Sequence, residues 1–348
     1  MGVIFDKYRT GINLGGWVSQ CGYEKEHIAS FIQKTDARKI ASWGLDHIRL
    51  PFDYPILEDD SNPFIYKEDG FKVIDELLGW CKDAALNLIL DLHKAPGYAF
   101  GNSAGANIIF TDANAQNRFV SLWQEIAKRY KSEKDNLIFE LLNEIVDSHG
   151  DAWNKIARKA IEGIHSVDPD RYILLGGPNY NSASGLDTLE IWDNNRVLYN
   201  FHFYDPFLFT HQRAVWTPLK DVNVNQPYPG KIEGIELIKT AFDGQKPEQG
   251  KSMDADTFFD KAFLEDKLAP AIAFSKRYGR ELYCGEYGAI DHADLQSRVN
   301  YISDLNELFD KYRFGRACWT YKKMSFTSVD GNSEPVSLDY IKALSRKG

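Results

Sequence analysis

Two glutamates close apolar, strand-like runs. Glu144 ends Leu141-Leu142-Asn143-Glu144, and Glu286 sits inside Cys284-Gly285-Glu286-Tyr287-Gly288. A glutamate in an acidic chain is by default a solvated surface charge. One placed directly after an apolar strand run is different, because burying a carboxylate without a partner is costly. Two carboxylates facing each other across a cleft are the equipment for breaking a glycosidic bond. One attacks the anomeric carbon or activates water, and the other protonates the leaving oxygen.

The elements around them must bring both to one place. Strand-like runs recur at 9–14, 46–50, 87–92, 137–142, 172–175, 197–203, 281–284 and 317–321. Amphipathic stretches lie between them, at 31–43, 119–130, 295–309 and 336–344 among others. In 119–130, Phe119, Leu122, Trp123, Ile126, Ala127 and Tyr130 form one stripe at helical spacing. Runs as apolar as Leu88-Ile89-Leu90 suit parallel strands covered by helices. Eight such units in 348 residues predict one α/β domain, a (β/α)8 TIM barrel over 1–348, whose strand ends share one mouth. A doubly wound sheet is the alternative, but Gly15-Gly16-Trp17 lacks the GxGxxG spacing of a phosphate turn. The stretch from Tyr204 to about Asp256 far exceeds an ordinary βα loop of about 2–6 residues. It predicts an insertion after strand 6, 205–255, rich in aromatics and prolines except for its polar end, and placed to act as a lid or cleft wall.

Composition narrows the partners. The net charge is 41 − 50 = −9 with no Lys/Arg cluster, which argues against nucleic acid and anionic membranes and suits a neutral polymer. No apolar run approaches the ~20 residues of a membrane span. The start, Met1-Gly2-Val3-Ile4-Phe5-Asp6-Lys7, lacks a signal-peptide pattern, so the protein is expected either in the cytoplasm or secreted with its leader already removed. Nothing demands more than a monomer. Cys21, Cys81, Cys284 and Cys318 show no metal-type spacing and read as small core residues without a disulfide. Aromatics at 14% serve either a core or sugar stacking. Trp43, Trp80, Trp123 and Trp192 fall on helix stripes or ends and are assigned to packing. Trp17, Tyr54, Tyr98, Tyr180, Phe207 and Trp216 fall in βα loops, where they could stack on sugar rings.

The ordered set of residues resembles glycoside hydrolase family 5, and within it the compact single-domain bacterial endo-β-1,4-glucanases. The resemblance runs over essentially the whole chain. It rests on Arg49 in His47-Ile48-Arg49-Leu50-Pro51, His93 in Leu90-Asp91-Leu92-His93, the pair Asn143-Glu144, His202 and Tyr204 in His202-Phe203-Tyr204, Glu286, and Trp319. Gly11-Ile12-Asn13-Leu14-Gly15-Gly16-Trp17 and Arg49 through Tyr54 extend it. Lys94 departs from it, since many relatives carry a second histidine there. The resemblance implies a retaining cellulase-type enzyme acting on β-glucan, with no cofactor and no metal. It makes Glu144 the acid/base and Glu286 the nucleophile, and gives substrate contacts to Arg49, His93, Asn143, His202, Tyr204 and Trp319. Trp17 and Trp216 are added as sugar platforms. Other readings stay open at this point. Exo-β-1,3-glucanase, β-mannanase and xyloglucanase share the mechanism. A silent glycan-binding barrel, or a metal hydrolase using Asp91, His93, His202 and Asp205, would not.

Overall fold

A computed structural model describes residues 4–102, 106–146, 150–243 and 254–345. Eight parallel strands follow one another: β1 (Gly11–Asn13), β2 (His47–Asp53), β3 (Asn87–Ala95), β4 (Leu137–Glu140), β5 (Ile173–Gly176), β6 (Val197–Phe203), β7 (Leu282–Tyr287) and β8 (Gly315–Cys318). Each pairs with the next, and Gly11 of β1 faces both His47 of β2 and Ala317 of β8. The sheet therefore closes on itself as a (β/α)8 barrel and leaves no edge to protect.

Side chains alternate along each strand, and this splits the apolar core in two. Ile48, Leu50, Phe52, Leu88, Leu90, Leu92, Leu137 and Phe139 belong to the large core shared with the helices. Ile89, Ile138, Leu174, Leu198, Tyr283 and Ala317 form a separate cluster that fills the barrel floor. Ile4, Phe5 and Tyr8 from the N-terminal 3₁₀ turn join this second cluster. His47 crosses the floor to meet the Tyr283 hydroxyl at 2.6 Å. Gly11 makes room for it, since a Cβ there would lie 2.3 Å from the imidazole.

The helices follow the sequence pattern with two differences. The stretch expected over 31–43 is helical only over Lys34–Ser42, and Phe31 instead ends a preceding helix, Lys25–Phe31. The break comes from a capping box, in which the Gln33 N–H donates to Asp36 Oδ2 at 2.8 Å. Asp36 Oδ1 accepts from the Tyr321 hydroxyl at 2.7 Å, tying that helix to the chain beyond β8. Between β5 and β6 the chain forms only a short turn at Pro178–Asn181 and a 3₁₀ turn at Ala183–Thr188. Helices Glu68–Asp83, Ala113–Tyr130, Asp151–Val167, Leu295–Tyr312 and Leu338–Ser345 cover other strands. Cys81, Cys284 and Cys318 are buried, and all four thiols are free.

The insertion after β6 carries helix Phe207–Thr210, a 3₁₀ turn at Pro218–Asp221, helix Ile235–Ala241 and an antiparallel pair of short strands, Gly230–Lys231 with Phe258–Phe259. Its polar stretch at 244–253 lies outside the described residues. The following helix starts at Lys261, later than the expected 256, because the Asp260 side chain caps it by accepting from the Phe263 N–H at 2.9 Å. The described part is bonded to the barrel at several points. Thr210 Oγ1 donates to the Tyr204 carbonyl at 2.5 Å, the Ile290 N–H donates to the Thr210 carbonyl at 3.0 Å, and the Tyr228 hydroxyl donates to Asp304 at 2.9 Å. Among the described residues, no helix is long and apolar enough to cross a membrane.

Candidate active site

Two irregularities in the sheet shape the mouth. On β7, Cys284 faces Phe201 and Glu286 faces His202, so Gly285 is an extra residue. On β3, Leu92 faces Phe52 and Lys94 faces Asp53, so His93 is an extra residue. A bulge bends its strand and re-aims the side chain beside it. The bulged Gly285 peptide would otherwise lose its partners. Its N–H donates to Asn200 Oδ1 at 3.0 Å, and its carbonyl accepts from Asn13 Nδ2 at 3.0 Å. Only glycine fits, because a Cβ would sit 2.8 Å from that Asn200 oxygen.

Glu144 is placed by a different device. Its backbone has φ 44°, in the left-handed region, which costs a non-glycine residue of order 1–3 kcal/mol. Surrounding bonds impose it. The Tyr98 hydroxyl donates to the Glu144 carbonyl and accepts from the Val146 N–H, while the Asn143 N–H donates to the Leu92 carbonyl at 3.0 Å.

The two carboxylates converge. One oxygen of Glu144, one of Glu286 and a ring nitrogen of His202 lie within 4.8 Å of one another. Their partners differ. Glu286 Oε1 accepts from Arg49 Nη1 at 2.8 Å, and its Oε2 accepts from the Tyr204 hydroxyl at 2.9 Å. Glu144 has His202 Nδ1 at 3.1 Å and, among the described residues, no cation of its own. Burial pushes the His202 pKa well below the usual imidazole value, so it is neutral. Burial, and then the charge of Glu286, push Glu144 well above the ordinary carboxylate range. Burial raises Glu286 as well, and Arg49 pulls it back. Tyr204 stays protonated, its pKa raised by burial and by Glu286.

The remaining expected residues fall around this pair. Asn143 Oδ1 accepts from Arg49 Nη2 at 3.1 Å, and its Nδ2 lies 3.4 Å from His93 Nε2. His93 Nδ1 holds Asp91 at 2.7 Å, and the His93 ring stacks on Trp319 at 5.7 Å and 7°. Burial lowers the His93 pKa to about 4, so its Nδ1–H donates to Asp91 and Nε2 accepts. Trp319 belongs to an apolar cluster with Ala214, Ile290 and Phe326. Trp216 lies 6.5 Å from Phe326 and is 57% exposed. Lys94 turns its ammonium to within 6.0 Å of the Tyr54 ring centre.

One expected platform is not at the mouth. Trp17 is 1% exposed, stacks on Trp80 and donates its indole N–H to the Ile28 carbonyl at 2.8 Å. It is a core residue, because the loop after β1 folds inward onto the helices and no face of the ring is free for a sugar. Tyr54 and Tyr98 are buried too. Trp17→Ala is expected to destabilise the fold by about 3–5 kcal/mol, read as a lower urea midpoint, with KM on soluble glucan unchanged. A raised KM at unaltered stability would return Trp17 to the substrate.

Sequence reading missed the layer under the pair. Glu140 grips Arg49 with two bonds, Nε to Oε2 at 2.7 Å and Nη2 to Oε1 at 2.8 Å. Asp91 Oδ2 lies 3.0 Å from Nη2, and Asn13 Oδ1 accepts from Nη1 at 2.8 Å. Strand alternation carried the signal, since Asp91 and Glu140 share the inward parity of Ile89 and Ile138. Asp91, His93, His202 and Asp205 are not gathered as a cation site among the described residues. Glu144, His202 and Glu286 are close enough to surround an ion, but Glu286 is already paired with a cation, Arg49.

Known proteins match this chain over most of its length. The model of the cellulase family, glycosyl hydrolase family 5, matches residues 6–325. The chain belongs to glycosyl hydrolase family 5. Endoglucanase C of Acetivibrio thermocellus is 43% identical over 343 residues, 98% of each chain. Cellodextrinase A of Ruminococcus flavefaciens is 38% identical over 314 residues, 90% of this chain and 85% of that one. Among solved structures, Thermotoga maritima Cel5A in complex with cellobiose superposes with a TM-score of 0.76 at 24% identity, covering 98% of both chains. The same enzyme with mannotriose gives 0.76 over 98% of this chain. This family 5 protein is a glycoside hydrolase of cellulase type, with endoglucanase relatives over nearly its full length.

Proposed function

We propose that the protein is a retaining endo-β-1,4-glucanase that hydrolyses cellulose-like or mixed-linkage β-glucans by double displacement. The observation that carries this is the close, unequally partnered carboxylate pair. Retaining enzymes hold the two groups about 5–5.5 Å apart, and inverting ones leave room for a water between. Here one oxygen of each carboxylate lies within 4.8 Å of one of the other, which is compatible with the shorter spacing. The pairing with Arg49 supports the ionised role for Glu286.

Glu286 attacks the anomeric carbon as the glycosidic C–O bond breaks, and Glu144 gives its proton to the leaving oxygen. The product is a glycosyl ester on Glu286, which no longer carries a charge. The pKa of Glu144 falls with it, and Glu144 takes a proton from water. The water oxygen bonds to the anomeric carbon and the ester breaks, which restores both groups. Asn143 Nδ2 has a second hydrogen free for the sugar 2-OH, a contact that strengthens in the transition state. Trp319 floors the sugar being cleaved, and Trp216 offers a ring further along the cleft. His93 and His202 orient the carboxylates and substrate hydroxyls. The described part of the insertion at 205–255 serves as a cleft wall, since it is bonded to the barrel on several sides. The partner is a neutral β-glucan, with neither nucleic acid nor membrane involved, and one chain suffices for the site.

Reducing-end release from carboxymethylcellulose, barley mixed-linkage glucan, laminarin, glucomannan and xyloglucan tests specificity. The first two are expected to be cut, with an early fall in viscosity. Release of monomer alone, or from laminarin alone, would overturn the endo-β-1,4 reading. Glucomannan has its own support, because the structural relative from Thermotoga maritima was solved with mannotriose.

A further inference from the structure

We propose that Glu140, with Asp91, is a positioning residue: it holds the Arg49 guanidinium from below, aims its other edge at Glu286 and Asn143, and sets by its charge the pH range in which the Glu286–Glu144 pair works. This rests on the catalytic reading of that pair.

A guanidinium has five N–H donors in a rigid plane, and here each has an acceptor. Nε serves Glu140, Nη1 serves Asn13 and Glu286, and Nη2 serves Glu140 and Asn143 with Asp91 at its side. A two-bond grip fixes the plane, so Glu140 decides where Nη1 and Nη2 point. Glu140 is itself held by Asn200 Nδ2 at 2.6 Å. Arg49, Asp91 and Glu140 are all fully buried, one layer beneath the mouth, so Glu140 does not touch substrate.

The charge count is the second part. One cation faces three carboxylates, Asp91, Glu140 and Glu286, in a buried layer where charges are felt more strongly than in water. Holding the guanidinium needs no such excess, as the neutral Asn13 and Asn143 oxygens already show. Burying surplus carboxylates is costly. Their effect is to divide the pull of Arg49. Opposite a lone guanidinium, Glu286 would ionise too readily, and a less basic carboxylate is a poorer nucleophile. Glu144 would lose its proton at lower pH for the same reason. The other titratable groups around the pair and Arg49 are Asp91 and His93 from β3, with Asp53 at the end of β2 acting on His93, His202 and Tyr204 from and after β6, Cys284 and Tyr283 on β7, and Cys318 on β8 acting on Tyr204. Of these, Asp91 also offsets Arg49, at the Nη2 that Glu140 holds, which is why the two act together.

The experiment is the pH profile of kcat/KM on a soluble β-glucan for the wild type, Glu140→Gln, Glu140→Asp and Asp91→Asn, each checked for folding by its urea midpoint. Glu140→Gln keeps the shape and removes the charge, so both limbs of the bell are expected to move to lower pH by roughly one unit. Asp91→Asn moves them the same way. Glu140→Asp keeps the charge and shortens the grip, so the limbs stay in place while kcat falls about tenfold. KM changes little in all three. A folded Glu140→Gln enzyme with unmoved limbs overturns the proposal. So does failure of all three variants to fold, which would assign the network to stability alone. Failure of the underlying reading shows elsewhere, as activity that survives Glu286→Gly.

Discussion

Glu286→Gly is expected to lower kcat on soluble β-glucan by at least about 10⁴-fold, about 5.5 kcal/mol of barrier. Double displacement has no path without the carboxylate that forms the ester. The fold is expected to survive, because Arg49 keeps Glu140 and Asp91 as counter-charges. Loss of the side chain leaves a space lined by Arg49 and the Tyr204 hydroxyl. Azide fits the charge of that space. With an activated aryl β-glucoside or cellobioside, azide should restore turnover and give the α-glycosyl azide, because it attacks from the face that Glu286 used. The wild type should release the β-anomer first, followed by proton NMR before mutarotation. Activity of Glu286→Gly within tenfold of wild type, or an α-anomer as first product, would remove Glu286 from its role.

Glu144→Gln should give a loss that depends on the leaving group. On glucan, whose leaving alcohol needs a proton, kcat/KM should fall about 10³-fold. On dinitrophenyl cellobioside, whose phenolate leaves unaided, kcat/KM should change little while kcat falls, because water then lacks its base. The pH profile makes the same point. In the proposed mechanism activity needs Glu286 ionised, so it should decline as pH drops through that group's pKa, which burial raises against the pull of Arg49. The same mechanism needs Glu144 protonated, so activity should decline again as pH rises through a pKa lifted by burial and by Glu286. In Glu144→Gln the acid limb should stay and the alkaline limb should vanish. An equal loss on every substrate, with the alkaline limb intact, would sink the assignment.

Much of the site was legible because a parallel barrel turns order along the chain into position around a ring. His93, Asn143, Glu144, His202, Tyr204, Glu286 and Trp319 stand near the ends of successive strands or just after them, Arg49 lies deeper, third in β2, and closing the sheet gathers them without further information. The loop aromatics behaved differently. Trp17 and Trp216 both read as cleft residues, yet one is sealed against Trp80 and the other is open. A loop's local sequence does not say which way it folds, since that depends on contacts with distant helices.

The sequence by itself determined the fold class, the two carboxylates and their strand-end setting, because periodicity and strand-end residues are local features that survive in one dimension. Tertiary structure alone decided how the charges are shared. Glu140 lies 91 positions from Arg49, and Glu286 lies 237 from it, yet one guanidinium binds both. It also decided where the bulges at His93 and Gly285 re-aim the chain. Whether a strand carries an extra residue is settled by the register of its neighbours, and whether a buried carboxylate is tolerated is settled by the cation that closure of the barrel brings to it.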